Sequence, residues 1–130
     1  MISHLDHLVL TTRDAQACEH FYVNVLGMTL EVFMAGEPPA PRKAFKYGHY
    51  KINLHVSGHE FEPKADHPTP GALDLCFIAS IPLDQVINKL GEHQWPIELG
   101  PVMRTGATSK IRSVYVRDPD QNLIEISEPA

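Results

Sequence analysis

The chain has 130 residues, 43% of them hydrophobic and 21% charged, which suits one compact domain and leaves no room for a separate cofactor domain. Eleven Lys and Arg against sixteen Asp and Glu give a formal charge of −5, so there is no basic field to condense on phosphates or anionic lipid. Nucleic acid and membrane are therefore not expected as partners. Met1 to Leu10 lacks a cationic start and carries Asp6 within its apolar stretch, and no later run approaches about eighteen apolar residues. Cys18 and Cys76 are too few for a disulfide scaffold, and a reduced, cytoplasmic chain is expected.

Leu5 to Thr12 reads as a strand, broken by Asp6 and His7. Asp14 is placed to cap a helix whose apolar stripe is Cys18, Phe21, Tyr22, Val25 and Leu26, with Gly27 as its stop. Met28 to Ala35 and Lys43 to Tyr47 follow as strands, separated by Gly36 to Pro41, whose prolines exclude regular structure. In Tyr50 to Ser57, Ile52, Leu54 and Val56 alternate with Lys51, Asn53 and His55, the period-two pattern of a strand with one polar face. Gly58 to Gly71 is loop by composition. The order then begins again: strand Leu73 to Ala79, helix stripe Leu83, Val86, Ile87 and Leu90 with Ser80 and Pro82 at its start, and strands Ile97 to Met103, Lys110 to Arg117 and Leu123 to Ser127.

The same order of elements occurs twice at a period of about 65 to 70 residues, which points to an α+β fold of two tandem β-α-β-β-β modules. Module one is residues 1–58, the linker 59–70 and module two 71–130, within one domain of 1–130. Each half alone is short of core, so the halves are expected to pack together or to exchange with a second chain. If the helices cover one face of each sheet, the polar alternates lie on the other. His7 and His55 fall there in module one, Asp74 and Glu125 in module two, and the offsets His7 to Asp74 and His55 to Glu125 are nearly equal. Two imidazoles and one or two carboxylates suit a divalent ion such as Zn²⁺, Ni²⁺, Mn²⁺, Co²⁺ or Fe²⁺.

Asp74 is equally open to reading as a ligand, as a partner of a ligating His or as a pocket acid. Tyr115 and Arg117 share a face of their strand with Ser113; Tyr115 is a candidate substrate contact, whereas a rim Arg117 is expected to be solvated. Cys76 is expected to be a small buried side chain rather than a reactive thiol, and Phe21 and Tyr22 belong to the core. The remaining histidines, His4, His20, His49, His59, His67 and His93, sit at the terminus, on the helix exterior or in loops and are read as solvated.

Leu5-Asp6-His7-Leu8-Val9-Leu10, Phe21-Tyr22 to Leu26-Gly27-Met28, and Val114 through Asp118-Pro119-Asp120-Gln121-Asn122 to Glu125 resemble the vicinal oxygen chelate superfamily of glyoxalase I, bleomycin resistance proteins and extradiol dioxygenases. Lys51-Ile52-Asn53-Leu54-His55 and Leu73-Asp74-Leu75-Cys76 look most like its glyoxalase domain-containing protein 5 subgroup. The resemblance implies paired modules whose sheets curve, barrel-like, around a central metal, frequently in a homodimer. It matches His7, His55 and Glu125 to ligand positions. Asp74 departs from the His or Glu that many members have, and Gln121 replaces the usual Gly of its turn. The implied activity is isomerase or lyase chemistry on a small molecule with adjacent oxygens, through a metal-stabilised enediolate or oxyanion, with Glu125 moving the proton; Tyr115, from its strand face alone, is a candidate catalytic residue or a cap of the barrel rim. An extradiol dioxygenase is the second choice, disfavoured by Asp74, and a metal-free binding protein of the bleomycin-resistance kind is the rival class.

Overall fold

Asp14 and the residues after it set the first helix of the computed structural model, which describes residues 1–130. The first of its two units is Met1–Gly71. After β1 (His7–Thr12), Asp14 Oδ1 accepts the N–H groups of Gln16 and Ala17 at 3.1 Å and so caps α1 (Ala15–Glu19). The sequence pattern predicts one regular helix as far as Gly27; instead His20–Val25 winds as a π-helix, with Leu26 N–H donating to Phe21 O at 2.9 Å. The wider turn brings the adjacent Phe21 and Tyr22 closer to a common face than 3.6 residues per turn does. Both are fully buried, and Tyr22 stacks on Phe45 with ring centroids 5.3 Å apart.

Three strands complete this unit: β2 (Thr29–Ala35), β3 (Ala40–Tyr47) and β4 (Tyr50–Val56). The sheet order is β1-β4-β3-β2, with β1 parallel to β4 and the remaining neighbours antiparallel. β3 starts earlier than the prolines suggest. Pro41 pairs with Met34 on β2, while pairing with β4 begins only at Lys43, so its missing N–H removes no bond from a central ladder. Leu10, Phe45, Ile52 and Leu54 form the buried face with the helix, whose Glu19 carboxylate receives the Lys43 ammonium.

The second unit, Ala72–Ala130, contains β5 (Asp74–Ile78), α2 (Leu83–Glu92), β6 (Leu99–Thr105), β7 (Lys110–Arg117) and β8 (Leu123–Pro129). Its sheet order, β5-β8-β7-β6, repeats that of the first, with β5 parallel to β8. Each unit is thus β-α-β-β-β with its own four-stranded mixed sheet, and no strand closes the two sheets into a barrel. Leu83, Val86 and Leu90 of α2 cover Val114, Val116, Ile124 and Ile126. Gly91 lies inside the helix, and no side chain at Ser80 or Pro82 caps it. Glu128 of β8 does so instead, accepting Leu83 N–H at 3.0 Å while it pairs with Arg112 at 3.1 Å.

Gln121 in the β7–β8 turn adopts φ 73°, a left-handed backbone that costs a side-chain-bearing residue about 1–2 kcal/mol. Glycine relieves that strain and returns part of the gain through a more flexible unfolded chain. Gln121→Gly is therefore expected to stabilise the protein by about 0.5 kcal/mol, read as a higher urea midpoint at unchanged m-value.

Candidate functional site

Alternation along β1 places His7, Val9 and Thr11 on the face of the first sheet away from the helix. The parallel register adds Lys51 beside His7, Asn53 beside Val9 and His55 beside Thr11. Lys46 and Ala44 of β3, followed by Arg42, extend this face. His7 Nδ1 lies 2.8 Å from Asp6 Oδ2; donation of the Nδ1 proton to that carboxylate leaves the Nε2 lone pair free. The same bond holds the Asp6 carboxyl below the usual carboxylate range.

His55 is buried, 8% exposed, with its ring edge-on to Phe61 at 5.6 Å. It lies two rows along the sheet from His7: four residues of strand and one strand spacing put their Cα atoms about 14 Å apart. The row of the first sheet that matches Glu125 in the second holds Asn53. Its Oδ1 is shielded from solvent and has no hydrogen-bond partner, an atom that the sequence pattern does not single out.

Burial pushes the His55 imidazole below its ordinary range; the Arg42 charge adds to this, and Glu60 and Glu62 oppose it. An imidazole depressed in the folded state binds fewer protons there than in the unfolded chain. Stability is thus full above the unfolded pKa, about 6.5, and falls as pH drops toward the lower folded value. Urea unfolding at pH 7.5 and pH 5 is expected to show this loss, and His55→Gln to reduce it.

On the second sheet, the face away from α2 carries Asp74 and Cys76 of β5, Glu125 and Ser127 of β8, and Ser113, Tyr115 and Arg117 of β7. Cys76 and Tyr115 flank Glu125 in one row. Glu125 Oε2 accepts the Ser113 hydroxyl at 2.6 Å, with Ser127 Oγ 2.7 Å from Ser113 Oγ and Cys76 Sγ 3.4 Å from Ser127 Oγ. The carboxylate is thereby fixed at one oxygen. The Tyr115 phenol oxygen accepts Arg104 Nε–H at 3.0 Å, leaving its own proton to be donated elsewhere. Arg117 pairs with Glu98 through two bonds of 3.1 and 3.2 Å.

Cys76 is exposed rather than buried as expected, because it faces away from the helix. Local desolvation pushes its thiol up, as do the charges of Glu125 and Asp74, so it is not an activated nucleophile. Asp74 is exposed at the start of β5, one row before the Cys76–Glu125 row, just as His7 lies one row before Val9–Asn53. His7 and Asp74 thus hold matching positions, and so do Asn53 and Glu125. Neither unit by itself groups three His, Cys, Asp or Glu side chains around a point where an ion fits. No helix is long and apolar enough to cross a membrane.

The profile of the Glyoxalase/Bleomycin resistance protein/Dioxygenase superfamily matches residues 4–126, and the chain belongs to that family. It is similar to virulence protein STM3117 of Salmonella typhimurium strain LT2, at 49% identity over 128 residues, 98% of this chain and 85% of that protein. The crystal structure of STM3117 superposes with a TM-score of 0.93 at 48% identity, covering 100% of this chain and 99% of that one. A glyoxalase domain-containing protein of Mycosarcoma maydis, RDO1, is 49% identical over 123 residues, 95% of this chain but 66% of that longer protein. Lactoylglutathione lyase of Agrobacterium tumefaciens is 25% identical with a TM-score of 0.72, covering 98% of this chain and 95% of that one.

Proposed function

We propose that this protein is a divalent-metal-dependent enzyme of the glyoxalase domain-containing protein 5 kind, an isomerase or lyase acting on a small molecule with adjacent oxygens. The observation that carries the reading is the preparation of two donors. His7 is oriented by Asp6 with Nε2 free, and Glu125 is held by Ser113 at one oxygen with the other left over. The unpartnered Asn53 Oδ1 is a third donor of a type that hard and borderline cations accept, and Asp74 is a fourth. In this reading His55, two rows from His7 on its own sheet, is assigned to packing.

Zn²⁺, Ni²⁺, Mn²⁺, Co²⁺ or Fe²⁺ at these residues supplies Lewis-acid polarisation of the substrate oxygens. The free oxygen of Glu125 would help hold the ion and, once released from it, would hold or move the proton, and Tyr115 would donate its phenol proton to a developing oxyanion. An extradiol dioxygenase is the second choice within this reading, with Asp74 against it. The assembly we propose is a cytoplasmic homodimer that takes a small-molecule substrate.

Metal uptake tests the reading. A protein stripped with EDTA and titrated with each ion is expected to bind about one equivalent of at least one of them and to unfold at a higher temperature when loaded. Absence of uptake with all five ions overturns it in favour of metal-free ligand binding.

A further inference from the structure

Arg42 stands apart from the chain's other cations on the open face of the first sheet. Its Nε is shielded from solvent and has no hydrogen-bond partner, and its guanidinium carbon lies 4.1 Å from the Phe61 ring centroid. Three carboxylates of this unit have other partners: Glu31 has Lys46, Glu62 has Lys64, and Glu60 has the Gly58 N–H. By contrast, Arg112 and Arg117 spend their donors on Asp84, Glu128 and Glu98. Lys51, two strand positions from Asn53, also lies over an aromatic ring, that of Phe33 at 4.5 Å. This face is therefore cationic in a chain whose formal charge is −5. Such a field draws small anions.

A guanidinium held flat by a ring beneath it and paired with no carboxylate is prepared to offer its two terminal nitrogens to a planar oxyanion at once. Asn53, diagonal to Arg42 across β3 and β4, places an unpartnered acceptor on the same surface. We infer that Arg42 is the anchor for an oxyanion of the substrate, a carboxylate or phosphate carried beside the adjacent oxygens, with Phe61 setting its plane. The inference rests on the reading that the open face holds the substrate, but not on metal binding.

Three matched probes test it: glycerate, glycerol 3-phosphate and glycerol, which share adjacent oxygens and differ in charge. Titrations of ¹⁵N-labelled protein, with and without Zn²⁺, are followed through the backbone amide resonances around position 42 in every variant and, in the wild type, also through the Arg42 Nε–Hε resonance. At least one anion is expected to displace these resonances saturably and to bind about tenfold or more tighter than glycerol. Arg42→Met is expected to abolish the preference and Arg42→Lys to keep part of it, with both unfolding midpoints near that of the wild type. The tighter of the two anions identifies the group.

Equal binding of glycerol, an unchanged preference in Arg42→Met, or no saturable displacement by either anion overturns the assignment. Arg42-dependent anion binding in protein that takes up no metal supports the anchor and defeats only the metal reading. Metal uptake without an anion preference does the reverse.

Discussion

Replacing Asp118 by Ala is expected to destabilise the protein by about 3 kcal/mol and to lower its unfolding midpoint by about 10 °C or more. Asp118 is 1% exposed and its carboxylate organises the whole β7–β8 turn. Oδ1 accepts the N–H groups of Asp120 and Asn122, both at 2.9 Å, and Oδ2 accepts Asn122 Nδ2 at 2.7 Å. Asn122, equally buried, passes the constraint on, since its Oδ1 accepts Leu73 N–H at 2.8 Å. Parallel strands such as β5 and β8 cannot be joined by a hairpin. This side-chain link, together with the Leu123 N–H bond to Leu73 O at 3.0 Å, ties the start of β5, and with it Asp74, to the end of the turn that launches Glu125. Alanine leaves three buried donors facing nothing, and each costs about 1–3 kcal/mol before water enters. Asp118→Asn keeps one acceptor and is expected to lose about half as much. Scanning calorimetry of both variants checks the order; an Ala variant within about 2 °C of the wild type shows that the turn holds without the carboxylate.

The repeat was legible because period-two and helical patterns occur twice in one order, and strands such as β7 carry both a buried and an open set of side chains. What escaped was mostly register. A strand's alternation tells which residues share a face but not which row of the sheet they occupy, so His55 and Asn53 look equally suitable from β4 alone. Their flanks do distinguish them. Lys51-Ile52-Asn53-Leu54 aligns with Leu123-Ile124-Glu125-Ile126 through its apolar pair, which sets Asn53 against Glu125 and leaves His55 beyond it. Three further features are long-range by nature: the Glu128 cap of α2, the Pro41 position where β3 has a single neighbour, and the exposure of Cys76. The π-helical turn at His20–Val25 reflects packing of Phe21 and Tyr22, since local helix propensity does not select it.

Glu125→Ala is expected to remove measurable Zn²⁺ uptake under conditions where the wild type binds about one equivalent. The reasoning starts from charge. In the proposed metal site Glu125 is the donor that carries a full negative charge, without which a divalent ion has little to offset its lost hydration. Glu125→Gln keeps the shape and the bond from Ser113 but not the charge, and is expected to behave like the Ala variant in metal uptake while folding more like the wild type. Ser113→Ala removes the 2.6 Å bond that holds Oε2, and its expected effect is smaller, about 10–100-fold in metal affinity. Metal binding releases protons from its ligands, so wild-type occupancy is expected to be lower at pH 5.5 than at pH 7.5. Competition titrations against a fluorescent chelator at pH 7.5 and pH 5.5 rank the four proteins. Uptake by Glu125→Ala equal to that of the wild type removes Glu125 from the metal site, and with it the proton-moving role assigned to its free oxygen.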